Sequence, residues 1–179
     1  MNRSGASLVW RRTGLALACT AAVAAAAAVT PAVAGVANLF RGDLADLAPA
    51  AAGPFDHASA QLVLVGHGSA STVVLLVKGV DTAVATRTFG AHLHSGPCVA
   101  GNGPAAGPHY NHSGVVPPVV SDATEIWLDF TVDDDGNAQS VSHVDWVPTA
   151  GQRSVVIHQD RTAANGTAGP RLACLPVEW

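Results

Sequence analysis

The chain is short of positive charge. Its 179 residues carry 9 Lys and Arg against 13 Asp and Glu, for a formal net charge of −4 with His neutral. A nucleic-acid-binding surface needs a clustered basic face, and no such cluster exists here. The chain also lacks a long, strongly hydrophobic run. Its Ala-rich stretch from Gly14 to Val29 falls short of the roughly 20 residues that a membrane span requires. After residue 50 no segment repeats apolar residues with helical spacing, which argues against a helical or α/β domain. No internal repeat appears, which excludes solenoid and propeller arrays. Cysteine is scarce, with 3 in all.

What is present at the start has the layout of a secretory signal peptide. Met1 to Arg12 carries Arg3, Arg11 and Arg12 and no acid, the apolar run follows, and Thr30-Pro31-Ala32-Val33-Ala34 ends in small residues. Cleavage is expected after Ala34, with a retained anchor as the alternative. Cys19 lies inside the apolar run, not after it, so lipid attachment is not expected. The chain then divides into a signal peptide over 1–34, a flexible N-terminal arm over 35–57 with room for a short helix at 37–47, and one domain over 58–179. Without its leader the chain loses three Arg and reaches about −7. Cys98 and Cys174 remain, and an even count in an exported chain suggests a disulfide.

The domain reads as strands. Gln61 to His67 and Ser71 to Val80 form a hairpin pattern, the second strand dense in β-branched residues. Thr86 to His94, Glu125 to Val132, Ala138 to Val147, Arg153 to His158 and Arg171 to Cys174 follow, with Asp133 to Asn137 as a turn. Short strands separated by Gly- and Pro-rich turns predict an antiparallel sandwich or flattened barrel. His57, His67 and His143 read as surface residues.

The candidate chemistry gathers between His92 and His112. His92 and His94 sit at i and i+2 of a strand and therefore share a face. The connection from Ser95 to Asp122 has no periodicity, carries Cys98, His109 and His112, and is long enough to suggest a functional loop. His158 ends another strand. If the strands follow a Greek key, His92, His94, His109 and His158 converge. Neutral imidazoles in that number suit copper, above all tetragonal Cu(II), or three of them with a water suit zinc.

These motifs resemble the copper/zinc superoxide dismutase family. Gly90-Ala91-His92-Leu93-His94 resembles its G-F-H-x-H strand, Ala106-Gly107-Pro108-His109-Tyr110-Asn111 its A-G-P-H-F-N loop, Val155-Val156-Ile157-His158 its V-V-x-H strand, and Gly169-Pro170-Arg171-Leu172-Ala173-Cys174 its G-S-R-L-A-C ending. Cys98 resembles the loop cysteine. The match spans roughly residues 58 to 175 in the family's order. The resemblance implies an all-β Greek-key antiparallel barrel, with His92, His94, His109 and His158 holding one copper. It also implies a Cys98–Cys174 disulfide and an Arg171 that draws superoxide toward the copper. The implied reaction converts superoxide to oxygen and hydrogen peroxide outside the cytoplasm.

The departures from the family concern zinc. After His109 only His112 follows at short range, at the wrong spacing for a zinc ligand, so a zinc site is doubtful and a copper-only variant is expected. Asp122 and Glu125 fall near the place of the last zinc ligands; one of them is expected to hydrogen-bond the second nitrogen of His109. Thr162 stands where the family has an Asp linking its two metal sites. The rival to an enzyme is a copper storage or delivery protein on the same barrel. No nucleic acid and, after signal removal, no membrane is expected as a partner. The oligomeric state is not legible.

Overall fold

The computed structural model describes Met1 and residues 37–49 and 51–179. The expected signal peptide, apart from Met1, lies outside the described residues. Contacts divide the chain into Met1–Ala32 and Val33–Trp179, and every element below belongs to the second unit. No helix among the described residues is long and apolar enough to cross a membrane.

The strands are β1 (Ala37–Asp43), β2 (Ala45–Asp46), β3 (Ser59–His67), β4 (Ala70–Lys78), β5 (Thr88–Phe89), β6 (Ala91–His94), β7 (Phe130–Thr131), β8 (Ala138–Val144), β9 (Gln152–His158) and β10 (Arg171–Glu178), with short 3-10 turns at Thr82–Val84 and Gly103–Ala106. They form one sheet in the order β1-β3-β4-β8, a second in the order β2-β10-β9-β6, and a small β5-β7 pair. Every pairing is antiparallel. The fold is thus all-β, as the strand pattern predicts. Among the described residues the three ladders remain separate, and no hydrogen-bonded ladder closes them into a barrel.

The alternation of β3 and β4 shows why these sequences pair. Leu62 lies opposite Leu75 and Leu64 opposite Val73, and all four are buried. Each fully buried side chain of this size contributes roughly 1.5–3 kcal/mol. They share one core with Phe89, Leu93, Ile157 and Leu175, so the two larger sheets pack face to face. Strand β9 is different, because Ser154 to His158 are all buried. Val155 and Ile157 point into the main core. Val156 points the other way and joins Leu47, Ala106 and Cys174 in a second cluster. The outer face of this sheet is therefore covered as well.

Four parts of the sequence reading change most, and β8 also stops at Val144 instead of Val147. The expected arm is not loose, nor does 37–47 form a helix. Strand β1 pairs along its whole length with β3, from Ala37 opposite Val65 to Asp43 opposite Ser59. The open edge of β3 supplies backbone partners, and Phe40 packs against Trp179 with ring centroids 5.8 Å apart. Tertiary partners override the helix propensity of an Ala-rich stretch. The expected strand over 86–94 breaks at Gly90 into β5 and β6. A Cβ on Gly90 would lie 2.7 Å from the Asp160 carbonyl oxygen and 2.8 Å from the Ala168 Cβ, so a strand residue with a side chain cannot pass there. The stretch 125–132 forms a strand only at Phe130–Thr131 and is otherwise joined by single bridges, Asn111 to Glu125 and His92 to Trp127. Finally, β10 runs on to Glu178 instead of ending at Cys174. His57, His67 and His143 are exposed, as predicted.

Candidate metal centre

The second sheet brings the histidines together through its register. On β6, His92 and His94 lie opposite Val156 and Ser154 of β9. Cross-strand partners share a face, so both rings point to the outer side with Val156. His158 is two residues beyond Val156 and joins them. His109 arrives on the loop that follows β6. Ser95 N–H donates to the Pro108 carbonyl at 3.0 Å and Tyr110 N–H to the Leu93 carbonyl at 2.8 Å, which lays His109 alongside His94. One ring nitrogen from each of His92, His94, His109 and His158 falls within 4.8 Å of all the others. The first, second and fourth are 0%, 0% and 4% exposed, whereas the side chain of His109 is 19% exposed. The cluster is therefore reached from the His109 side.

Hydrogen bonding fixes which nitrogens are free. His94 Nδ1 lies 3.0 Å from the Gly107 carbonyl and His158 Nδ1 lies 3.1 Å from that of Gly169. Carbonyls only accept, so both Nδ1 atoms carry the proton. His109 Nδ1 donates to Glu125 Oε2 at 2.8 Å. The Nε2 atoms of these three rings are left as bare lone pairs, and those of His94 and His158 face each other at 3.2 Å. Two neutral rings of this tautomer have no proton to share there. The buried Nδ1 of His92 has no partner at all, a cost of about 1–3 kcal/mol unless something fills it. A cation relieves both problems together. Metal–imidazole bonds of about 2.0–2.1 Å put two donors on one ion no more than about 4.2 Å apart. Separations of up to 4.8 Å bring the cluster to within about 0.6 Å of that limit.

Burial also keeps the rings of His92, His94 and His158 neutral. It is the leading reason that the pKa of His92 falls to about 2, that of His94 to about 3 and that of His158 to about 4, with the neighbouring histidines adding to each shift. Metal ligation requires this neutral form.

Of the two carboxylates expected to hold His109, Glu125 does so and Asp122 does not. Asp122 is exposed, on the turn in which Glu125 N–H donates to the Ser121 carbonyl at 2.9 Å. That turn carries Glu125 inward, where it is 3% exposed. Its Oε2 also accepts from Trp127 Nε1 at 2.9 Å, and its Oε1 from Asn111 Nδ2 at 3.1 Å. Burial alone would raise the pKa of Glu125, but the bonds from His109, Trp127 and Asn111 outweigh it and hold the group below the usual range.

Arg171 lies opposite His158 in the β9–β10 register. Its Nη1 donates to the Gly103 carbonyl at 2.6 Å and its Nη2 to the Gly107 carbonyl at 2.7 Å. The Gly107 carbonyl, on a left-handed glycine with φ +68°, thus serves both Arg171 and His94. Burial lowers the pKa of Arg171 from its ordinary value, but a guanidinium remains charged. Its charge acts on His94 and His158. Cys98 and Cys174 form a disulfide across 76 residues with Cα atoms 5.7 Å apart, which fastens the loop to β10 and is worth roughly 4 kcal/mol in the chain-entropy account. His112 stands apart, stacked on Trp146 at 4.6 Å.

The sequence did not reveal the carbonyl acceptors at Gly107 and Gly169, because a backbone acceptor leaves no residue signature. Trp127 was also missed; its bond to Glu125 two residues earlier is the one local clue. No protein-family model matches the chain, and no curated protein matches it.

Proposed function

We propose that this chain is a copper-dependent superoxide dismutase that acts outside the cytoplasm, and that its two larger sheets are the halves of a flattened Greek-key barrel of the copper/zinc superoxide dismutase type. The observation that carries the reading is the set of four histidines whose ring nitrogens, one from each, lie within 4.8 Å of one another, with the charge of Arg171 beside them. Four neutral nitrogen donors suit Cu(II). Glu125 takes the Nδ1–H of His109, and so occupies the nitrogen that a second ion would need. This supports one copper and no zinc. The signal-peptide pattern and the Cys98–Cys174 disulfide support export.

Copper, when bound, supplies the alternating one-electron exchange by which two superoxide anions and two protons become oxygen and hydrogen peroxide. The protein's own part is positional and electrostatic. His92, His94 and His158 are held by two strands of one sheet, and His109 by Glu125. Arg171 gives an anion a local positive focus on an otherwise acidic chain, which acts against the general repulsion.

Copper storage or delivery is the competing reading, favoured by one observation. Both Nη atoms of Arg171 already serve carbonyls, which leaves fewer N–H groups for a substrate anion. Loading the purified protein with copper and zinc, then measuring metal content and dismutase rate against free copper, separates the two. One copper, no zinc and a rate above that of free copper are expected. Arg171→Gln should lower that rate at low salt and flatten its salt dependence. One tightly bound copper with no rate advantage would favour storage, and failure to bind copper would remove both readings.

A further inference from the structure

The first sheet is more apolar than a single core requires. Leu62 to Val65 on β3 and Val73 to Val77 on β4 are unbroken apolar runs. An antiparallel strand with one wet face alternates apolar with polar residues, whereas a continuous run marks a strand covered on both faces. One side of each run, such as Leu62, Leu64, Val73 and Leu75, fills the core. The other side, Val63, Val65, Val74 and Leu76, is half-buried and joins neither core cluster of the described residues. The two edge strands repeat the anomaly. On β8 the inward positions are Ser140 and Ser142, while Val141 faces out at 51% exposure. On β1 Phe40 turns in and Leu39 faces out at 56% exposure. The register puts these side chains in line. Leu39 lies opposite Val63, Val63 opposite Val74, and Val74 opposite Val141, and cross-strand partners share a face. An apolar row therefore crosses all four strands on the outer side of the first sheet.

We propose that this outer face is the contact between two copies of the chain, related by a two-fold axis that runs along the apolar row. Such an axis lays row on row, with Val74 against Val74 of the second copy. Shape, charge and area favour a second copy. Two sheets of equal twist pack face to face. The charges beside the row also match under this axis. Asp43, Ser59 and Lys78 are aligned four residues to one side of the row. His67 and Ala70 are aligned four residues to the other side, and exposed Asp145 follows Val144, the partner of Ser71. The rotation sets Lys78 over Ala70 of the second copy, one strand spacing of about 4.8 Å from its Asp145. Asp43 comes equally near His67 of the second copy, and Arg41 falls on Ala37. No like charges meet among the described residues of this face, although the chain as a whole is acidic. Four strands of seven to nine residues span roughly 500 Å² at ordinary strand spacings. Two copies then bury about 1,000 Å², the size at which specific association begins. The histidine cluster lies on the outer face of the other sheet, so the inference does not depend on what that cluster binds.

Sedimentation equilibrium of the purified protein, from micromolar to near-millimolar concentration, tests the interface. A monomer–dimer equilibrium is expected. A wild type that stays monomeric throughout overturns the proposal and leaves the face to an unlike protein or a lipid surface. Val74→Lys and Val74→Glu should each weaken association by about 30-fold or more, because the axis sets the new charge against its own copy. An equimolar mixture of the two should dimerise again, since Lys then faces Glu. Wild-type association in either variant overturns the proposal, and so does a mixture that stays monomeric. If the Val74 variants do not fold, Val141→Lys and Val141→Glu decide by the same three readings, at a position already 51% exposed.

Discussion

Glu125→Gln removes one charge while nearly preserving shape, and its cost can be worked out bond by bond. Glu125 has two acceptor oxygens serving three donors, His109 Nδ1 and Trp127 Nε1 on Oε2, and Asn111 Nδ2 on Oε1. A glutamine keeps one oxygen. Turned toward His109 and Trp127, it sets its own NH₂ against that of Asn111. Asn111 cannot turn over to compensate, because its Oδ1 already accepts from Ser113 N–H at 3.0 Å and from the Ser113 hydroxyl. At least one buried donor loses its acceptor, which costs about 1–3 kcal/mol. The bonds from His109 and Trp127 also cease to be charge-assisted, for about 1 kcal/mol more. Relief from burying a carboxylate offsets part of this, leaving a loss of about 2 kcal/mol. Chemical denaturation of the metal-free protein reads that loss directly. A competitive copper titration should show affinity lower by about 10–100-fold, because the His109 ring is no longer held. A variant within about 0.5 kcal/mol of wild-type stability and with unchanged copper affinity would refute the reasoning.

Two further outcomes are expected. His92, His94 and His158 have folded-state pKa values of about 2, 3 and 4 against an unfolded value near 6.5. Above pH 6.5 these rings are neutral in both states and add no pH dependence. Below it the unfolded chain gains protons that the folded chain refuses. The metal-free protein should then lose stability by about 1.4 kcal/mol per pH unit for each group, down to roughly pH 4. Denaturation midpoints flat between pH 7.5 and 4.5 would contradict this. Replacing Cys98 and Cys174 together by Ser should lower stability by about 2–4 kcal/mol and weaken copper binding, because the loop that carries His109 loses its fastening to β10. Unchanged stability by denaturation, with unchanged copper affinity, would count against that role.

Much of the site was legible in the chain because its chemistry is local. The i, i+2 spacing of His92 and His94 on a strand fixes their common face whatever the rest of the chain does. A hairpin of β-branched residues announces β3 and β4 in the same way. His109, His158, Arg171 and the two cysteines were named from their motifs, and the structure brings all of them to the outer face of one sheet. What the sequence left open depends on distance in space. The choice between Asp122 and Glu125 turns on a tight turn that exposes one carboxylate and buries the other. Thr162 read as the loss of a link; in the fold its hydroxyl reaches His92 across 70 residues, because Gly90 lets the loop come close. Strand β1 read as a loose arm because its hydrogen-bond partners lie on β3. Residue type and spacing along the chain determined which groups can bind a metal. Which nitrogen of each ring is left bare was decided only by acceptors that folding brings from elsewhere, since a proton's position depends on the nearest partner in space.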